Sequence, residues 1–520
     1  MIEPVIFLGP PGTGKTTTLL DTVDQEMENG IPPDRIGFMT FTKRGVEEAV
    51  SRASARFHLP RSKFRYFNTL HSAAFRQLGL NSDQVFTGKK MQEFAKAYGL
   101  EIHGGLSTED GTYSNFYGDD LILFFENFAR ITRIPIEHIL SSNDYIIPDV
   151  ERAWRVITDF RHHKSEQNLY DFTDMIEEFI KQDDPPRLEV LIVDESQDLS
   201  ELQWLMVDIL SRHVKRKYVA GDDDQTIFQW AGASTRFISM HGDVRVLQQS
   251  HRVPNAVHKL ANRVISKVSD RRLKSWRPRD AEGSYTTIEG ISQLDPRGLT
   301  TGKSVMMLGR TAKMLRSKFI PYCRGYGIPY SHFEFNGVKP SYAKAITAWN
   351  LLQNGKIVPP ADALQIYNLL PTEGHEKKDK KPGVRYGFKT RLKNFADQQD
   401  PPDISMWDLR RDYGLLAEGT WQEIFTEIDP RDVQYIEKVL SNGFKLTDKP
   451  NIHISTIHRV KGGQADTVIL LSDTAKIAEK FRTGNQDEET RVFYTGLTRT
   501  FEDLVVVHPD KRYHFGGLFE

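Results

Sequence analysis

The sequence predicts an α/β fold built on parallel sheets, and three observations predict it. Gly9-Pro10-Pro11-Gly12-Thr13-Gly14-Lys15-Thr16 follows the apolar run Val5-Ile6-Phe7-Leu8 and precedes Thr17-Thr18-Leu19-Leu20, in the order strand, loop, helix. A second apolar run, Leu188-Glu189-Val190-Leu191-Ile192-Val193, ends in Asp194 and Glu195, as a strand does when it presents carboxylates at the carboxyl edge of a parallel sheet. Short apolar runs alternate with helix-compatible stretches through residues 1–82 and 156–280, the pattern that a sheet with helical crossovers requires.

The first element matches G-x-x-x-x-G-K-[ST] without a mismatch. Gly12 and Gly14 let the backbone N–H groups around Thr13 turn inward on phosphate, Lys15 reaches the β and γ oxygens, and the Thr16 hydroxyl is placed to hold Mg²⁺. The chain is therefore expected to bind a nucleoside triphosphate. In the second element Asp194 would hold Mg²⁺, directly or through water, while Glu195 orients and deprotonates an attacking water. Strand-ending acids are common, so this pair gains its weight from the phosphate loop.

A third block, Tyr218-Val219-Ala220-Gly221, runs into Asp222-Asp223-Asp224-Gln225 and then into Phe228 and Trp230. It could couple a phosphate sensor, Gln225, to a base-stacking platform; the alternative is that both rings are core aromatics. Arg252 and Arg499 come from distant segments and can offset charge on a transferred phosphoryl group, or they make surface salt bridges of little energetic worth.

Composition bounds the setting. At 520 residues, with 39% hydrophobic and 27% charged content, about two to four domains of an ordinary soluble protein are expected. The single cysteine, Cys323, rules out a disulfide framework or cysteine zinc cluster within the chain and suits a reducing interior. No charged leader with a cleavage site precedes the first strand, and no apolar run approaches about 18 residues, so a cytoplasmic, soluble protein without a membrane partner is expected. The net charge of −1 means that a polyanion would be held by local patches. No internal repeat or long low-complexity tract is evident.

Together with Asp194-Glu195-Ser196-Gln197-Asp198, the block at 218–233 resembles motifs II and III of the UvrD/Rep/PcrA helicases of superfamily 1. Other segments resemble that family's motifs in the family's order: Phe38-Met39-Thr40-Phe41-Thr42-Lys43-Arg44 (Ia), Asn68-Thr69-Leu70-His71-Ser72 (Ib), Leu247-Gln248-Gln249-Ser250-His251-Arg252 (IV), Ile454 to Gly462 (V) and Glu489 to Arg499 (VI). Asp171-Phe172-Thr173-Asp174-Met175 resembles the segment that precedes motif II. The resemblance implies that Arg252 approaches the γ-phosphate, that Arg499 is the arginine finger, and that Phe41, Thr42, His71, Phe228, Trp230, Thr456 and His458 contact the strand. His251 stands where an adenine-stacking tyrosine is usual, Gln464 where a ribose-contacting glutamate is, Leu70 where a phenylalanine is common, and Thr17 where an arginine often follows the loop threonine. Only Met1–Leu8 precede Gly9, where the family carries an adenine-reading glutamine segment. These departures imply looser nucleotide discrimination, with ATP the expected fuel.

The resemblance also implies two RecA-like P-loop NTPase lobes, each with a mainly helical insertion. Lobe 1A is expected over 1–82 and 156–280, the 1B-like insertion over 83–155, lobe 2A over 281–340 and 446–520, and the 2B-like insertion over 341–445. The implied function is ATP- and Mg²⁺-dependent translocation on single-stranded DNA, 3′-to-5′, with unwinding of tailed duplex DNA alongside replication or repair proteins. The alternatives are a strand-stimulated ATPase that remodels protein–DNA complexes without unwinding, and an ATPase subunit of a repair or nuclease assembly. RNA as the strand, and the oligomeric state, stay open.

Two basic stretches fall outside the motifs. Lys377, Lys378, Lys380, Lys381, Arg385, Lys389, Arg391 and Lys393, with Tyr386 and Phe388 among them, suit phosphate and base contact or form a solvated loop. Arg271-Arg272-Leu273-Lys274-Ser275-Trp276-Arg277 could line a strand channel or cap a helix end.

Overall fold

The runs expected as strands at 5–8, 188–193 and 218–221 form β1 (Val5–Leu8), β4 (Val190–Val193) and β5 (Arg216–Gly221), joined by β2 (Ile36–Thr40), β3 (Phe67–Thr69) and β6 (Asp243–Val246). In the computed structural model, which describes residues 2–102, 118–141, 149–333, 335–374, 382–473 and 486–508, they make one sheet in the order β3-β2-β4-β5-β1-β6. Every pairing in it is parallel. Strands β2 and β4 are buried along their whole length, which is why they read as continuous apolar runs rather than as alternating ones.

Alternate residues supply opposite faces, as the two-residue period of a strand dictates. Ile6, Leu8, Leu191, Val193 and Val219 pack with Phe179, Trp204, Met206 and Val207 on one side. Phe7, Phe38, Val190, Ile192 and Ala220 pack with Leu19, Val23, Ala49 and Ala53 on the other. Each fully buried side chain of this size contributes about 1.5–3 kcal/mol, so the sheet is fixed from both faces and the loops at its carboxyl edge are held in register.

The chain divides into two compact units, 1–287 with 456–520, and 288–455. The first unit contains a separate helical core in which Phe86, Phe94, Leu123, Phe124, Phe125, Phe128, Val156 and Phe160 meet. It is built from helices Lys89–Tyr98, Asp119–Thr132 and Val150–Glu166. Asp119, fully buried, is satisfied by the Arg152 guanidinium at 2.9 Å and by Glu101 N at 2.8 Å.

The remaining strands are β7 (Ser284–Ile288), β8 (Val305–Gly309), β9 (Tyr330–His332), β10 (Ile452–Thr456), β11 (Ala465–Leu471) and β12 (Thr500–Val507). In the first unit β11 and β12 pair in parallel across helix Gln486–Leu497, with β7 beside β12. In the second unit β8, β10 and β9 lie side by side, β10 and β9 in parallel. That unit also has a helical core of Ile346, Trp349, Ile366, Tyr367, Leu392, Leu409 and Trp421, and its helices Pro340–Gln353 and Pro360–Leu369 start on proline, where the missing N–H costs nothing. The described residues thus form two parallel-sheet α/β regions, as expected. No helix among them is long and apolar enough to cross a membrane.

Candidate active site

The loops that follow β1, β4 and β5 leave the same edge of the first sheet, and all residues of the site belong to the first unit. Gly9 N donates to Gly221 O at 2.9 Å, which ties the start of the phosphate loop to the end of β5. Gly12 and Gly14 take φ of 73° and 78°, the left-handed region that glycine enters without strain. A Cβ on Gly12 would come within 2.4 Å of Arg252 Cβ, so the loop and the 250–252 segment share their space. Ser250 Oγ donates to Pro11 O at 2.7 Å, and His251 N donates to Gly12 O at 2.8 Å.

Helix Lys15–Glu28 starts at Gly14 with no acid in its first turn, leaving its N-terminal N–H groups and dipole to an anion. Lys15 Nζ donates to Gly9 O at 3.1 Å and lies 3.9 Å from Glu195 Oε1. Thr13 is buried with its hydroxyl on Pro10 O at 2.8 Å, while Thr17 is exposed. Thr16 Oγ1 donates to Asp194 Oδ2 at 3.3 Å. This hydroxyl and carboxylate pair is an all-oxygen donor set that fits Mg²⁺, a cation that takes one or two protein oxygens and completes its shell with water and phosphate.

Burial and the adjacent charge of Glu195 push the Asp194 carboxyl up. Burial opposes ionisation of Glu195 too, but Lys15, Lys461, the Gln197 amide and Arg499 outweigh it and hold that carboxyl low. The acid expected to orient water is therefore the one that keeps its charge. Glu195 also sits at φ 50°, uncommon for a residue with a side chain and a source of local strain. Gln197 fixes it by donating Nε2 to Glu195 Oε2 at 2.6 Å while its Oε1 accepts from Asp222 N at 3.0 Å.

Gln225 and both arginines reach this edge. Arg499, 1% exposed, donates Nη2 to Gln225 Oε1 at 2.5 Å and Nε to Thr495 O at 2.9 Å. Burial, then the like charge of Arg252, brings its guanidinium down to about 9. Arg252 donates Nε to Gln464 Oε1 at 2.9 Å. Gln464 and His251 are exposed.

The strand candidates separate into groups. Phe41 and Phe228 stack with centroids 6.1 Å apart, His458 meets Phe228 edge-on at 5.7 Å and Trp230 at 6.2 Å, and Trp230 stacks on Phe124 at 6.5 Å. Phe228, Thr456 and His458 are buried, whereas Trp230 and Phe41 are half-buried. The structure brings neither Thr42 nor His71 into the aromatic cluster: Thr42 is exposed and caps helix Lys43–Phe57, accepting from Gly45 N at 3.0 Å. His71 lies edge-on to Phe172 at 5.6 Å.

Several participants were not singled out by sequence. Lys461, inside the motif V segment, donates to both oxygens of Asp198 at 2.6 and 2.5 Å and to Gln225 O at 2.8 Å. Burial still pushes Asp198 up to about 6. Asp487 accepts from Ser269 N and Oγ, and Glu488 Oε1 accepts from Trp230 N at 3.0 Å, so the acids of the first turn of helix Gln486–Leu497 grip two loops. In the 271–277 stretch Arg271 and Lys274 pair with the buried acids of 222–224, while Arg272 takes the helix-end role, donating Nε to Ile238 O at 2.9 Å and Nη2 to Phe237 O at 3.0 Å at the end of helix Arg236–Ser239. Of the other basic stretch, Lys377, Lys378, Lys380 and Lys381 lie outside the described residues. Farther along it, Arg391 covers Phe388 and Tyr413, while Tyr386 is 70% exposed.

Comparison with known proteins gives this geometry its context. Residues 2–243 match the model of the UvrD/REP helicase N-terminal domain, and residues 424–510 match that of the UvrD-like helicase C-terminal domain. The chain is 26% identical over 598 aligned positions to the candidate ATP-dependent DNA helicase YjcD of Bacillus subtilis, covering 98% of this chain and 77% of that one. It is 26% identical over 321 positions to the ATP-dependent DNA helicase PcrA of the same organism, covering 58% of this chain and 42% of that relative. With its phosphate loop, acid pair and Gln225 on one sheet edge, and with both domain models matched in order, the chain belongs to the UvrD/Rep/PcrA family of ATP-dependent DNA helicases.

Proposed function

We propose that the chain hydrolyses ATP to move 3′-to-5′ along single-stranded DNA and to unwind tailed duplex DNA. The observation that carries this reading is the buried Arg499, held on Gln225 and facing the like charge of Arg252. Two guanidiniums at the mouth of a phosphate loop repel one another until an anion lies between them, and charge developing on a transferred phosphoryl group is what they would stabilise most.

Lys15 and the loop N–H groups bind the phosphates, Glu195 orients the attacking water, and Gln225 reports on the γ position to Arg499. Thr16 and Asp194 would hold Mg²⁺, which would offset the charge developing on the phosphates. Phe41, Phe228, Trp230 and His458 supply stacking surface for bases, a contact insensitive to sequence; Thr42, His71 and Thr456 contact the backbone. This reading assigns lobe 1A to 1–82 and 156–280, the 1B-like insertion to 83–155, lobe 2A to 281–340 and 446–520, and the 2B-like insertion to 341–445.

The test is steady-state ATP hydrolysis with and without single-stranded DNA, beside displacement from duplexes carrying a 3′ or a 5′ tail. Strong stimulation with displacement from the 3′ tail alone is expected, and Lys15→Ala should lower turnover by about 10²- to 10³-fold. Stimulation without displacement would replace unwinding by translocation, and displacement from the 5′ tail would overturn the direction.

A further inference from the structure

Asp222, Asp223 and Asp224 are all 0% exposed, and buried charge is tolerated only where it is paired and hydrogen-bonded. The pairing comes from the 271–274 segment. Lys274, its side chain also 0% exposed, sets Nζ 3.2 Å from Asp222 Oδ1, 2.6 Å from Asp223 Oδ1 and 2.8 Å from Asp224 Oδ2. Arg271 forks onto the two oxygens of Asp224 at 2.8 and 2.6 Å, and Arg272 N donates to Asp223 Oδ2 at 2.7 Å. Burial opposes the charge on Lys274, and the three carboxylates overcome it and raise it.

Asp222 differs from its two neighbours in what its second oxygen does. Asp222 Oδ2 accepts from Gln225 Nε2 at 2.6 Å, and Gln225 Oε1 accepts from Arg499 Nη2 at 2.5 Å. An amide has one orientation that serves both contacts, nitrogen toward the carboxylate and oxygen toward the guanidinium. We infer that Lys274 is a positioning residue for ATP hydrolysis, fixing Asp222 so that this carboxylate holds the Gln225 amide with its oxygen toward Arg499.

Without Lys274, three buried carboxylates would face one arginine. An Asp222 that turned or was neutralised in response would release Gln225, and the flipped amide would meet Arg499 donor to donor. The inference rests on the proposed reading of Gln225 and Arg499 as parts of the hydrolysis site.

The test separates charge balance from positioning. Lys274→Met is expected to lower the DNA-stimulated kcat about tenfold while leaving KM for ATP within about twofold. Two double variants each remove one negative charge from the cluster: Lys274→Met with Asp224→Asn keeps the Asp222–Gln225 contact, and Lys274→Met with Asp222→Leu removes it. The first should return kcat to within about threefold of the parent, whereas the second should stay about tenfold low even where its melting temperature recovers. A structural role alone would make the two doubles equal, with kcat following melting temperature, and that result would overturn the inference, as would an unchanged kcat in Lys274→Met. If the single variant does not fold, the doubles decide the question on their own. Glu195→Gln in the same assay keeps the two readings apart: full turnover there overturns the hydrolysis assignment and this inference together, whereas a dead Glu195→Gln with equal doubles overturns only this inference.

Discussion

At the scale of single residues, the chemistry depends on charges that burial would suppress and neighbours preserve. Glu195 stays ionised because Lys15, Lys461 and Arg499 surround it, and no one of them lies near it in sequence. His71 shows the opposite balance: burial outweighs the field of Asp171 and lowers its imidazole to about 4 from 6.5. The unfolded chain then takes up a proton below pH 6.5 that the folded chain refuses, so this group removes stability as pH falls from 6.5 to 4 and no more below that. Urea unfolding midpoints measured between those pH values should fall less steeply in His71→Asn than in the parent, and parallel slopes would refute the assignment. Residue chemistry was legible in sequence where the partners are local. Gly12, Gly14, Lys15 and Thr16 declare themselves by spacing, but the pairing of Lys274 with Asp222 spans about fifty positions, and a run of Arg and Lys does not reveal that its counter-ions lie inside the fold.

At the scale of elements, caps and ion clusters fix the helices that carry the site. Thr69 ends β3 and caps helix Leu70–Gln77, accepting from Ser72 N at 3.2 Å. Asp171 and Asp174 form a capping box at the start of helix Phe172–Gln182, and Arg130 reaches them at 3.0 and 2.5 Å from helix Asp119–Thr132, with Glu177 at 2.6 Å. The Arg130 side chain is 10% exposed, so Arg130→Met should leave Asp171 and Asp174 with Lys164 as their remaining counter-ion in the cluster and cost about 3 kcal/mol of stability; chemical denaturation checks this, and a loss below about 1 kcal/mol would place the cluster with ordinary surface pairs. The segment Asp171–Met175 was recognisable in sequence as a motif neighbour. Its role as the anchor of a buried ion cluster was not, because Arg130 and Lys164 come from helices whose sequence shows only amphipathic periodicity.

At the scale of the molecule, the order of motifs made the two parallel-sheet regions legible, since phosphate loops and acid-ended strands occupy fixed places along such sheets. Burial was less legible. Phe228 and Trp230 are two residues apart, yet Phe228 is 8% exposed while Trp230 is half-buried against Phe124. That difference depends on which helix covers which ring. Trp230→Ala is accordingly expected to remove about 1–3 kcal/mol of single-strand affinity and most of the DNA stimulation, with KM for ATP unchanged; fluorescence anisotropy with a labelled oligonucleotide reads the first and hydrolysis the second. Unaltered strand binding would remove Trp230 from the interface.

Helix Gln486–Leu497 gives these scales a common mechanical element. Its 12 residues span about 18 Å, with Glu488 clasping Trp230 N in its first turn and Arg499 bonding Gln225 just past its last. Every residue from Glu488 to Leu497 is buried, and close-packed interiors transmit displacement instead of absorbing it. The helix is therefore a push-rod between the Trp230 loop and the Gln225–Arg499 contact: a displacement imposed at one end reaches the other unless the rod bends.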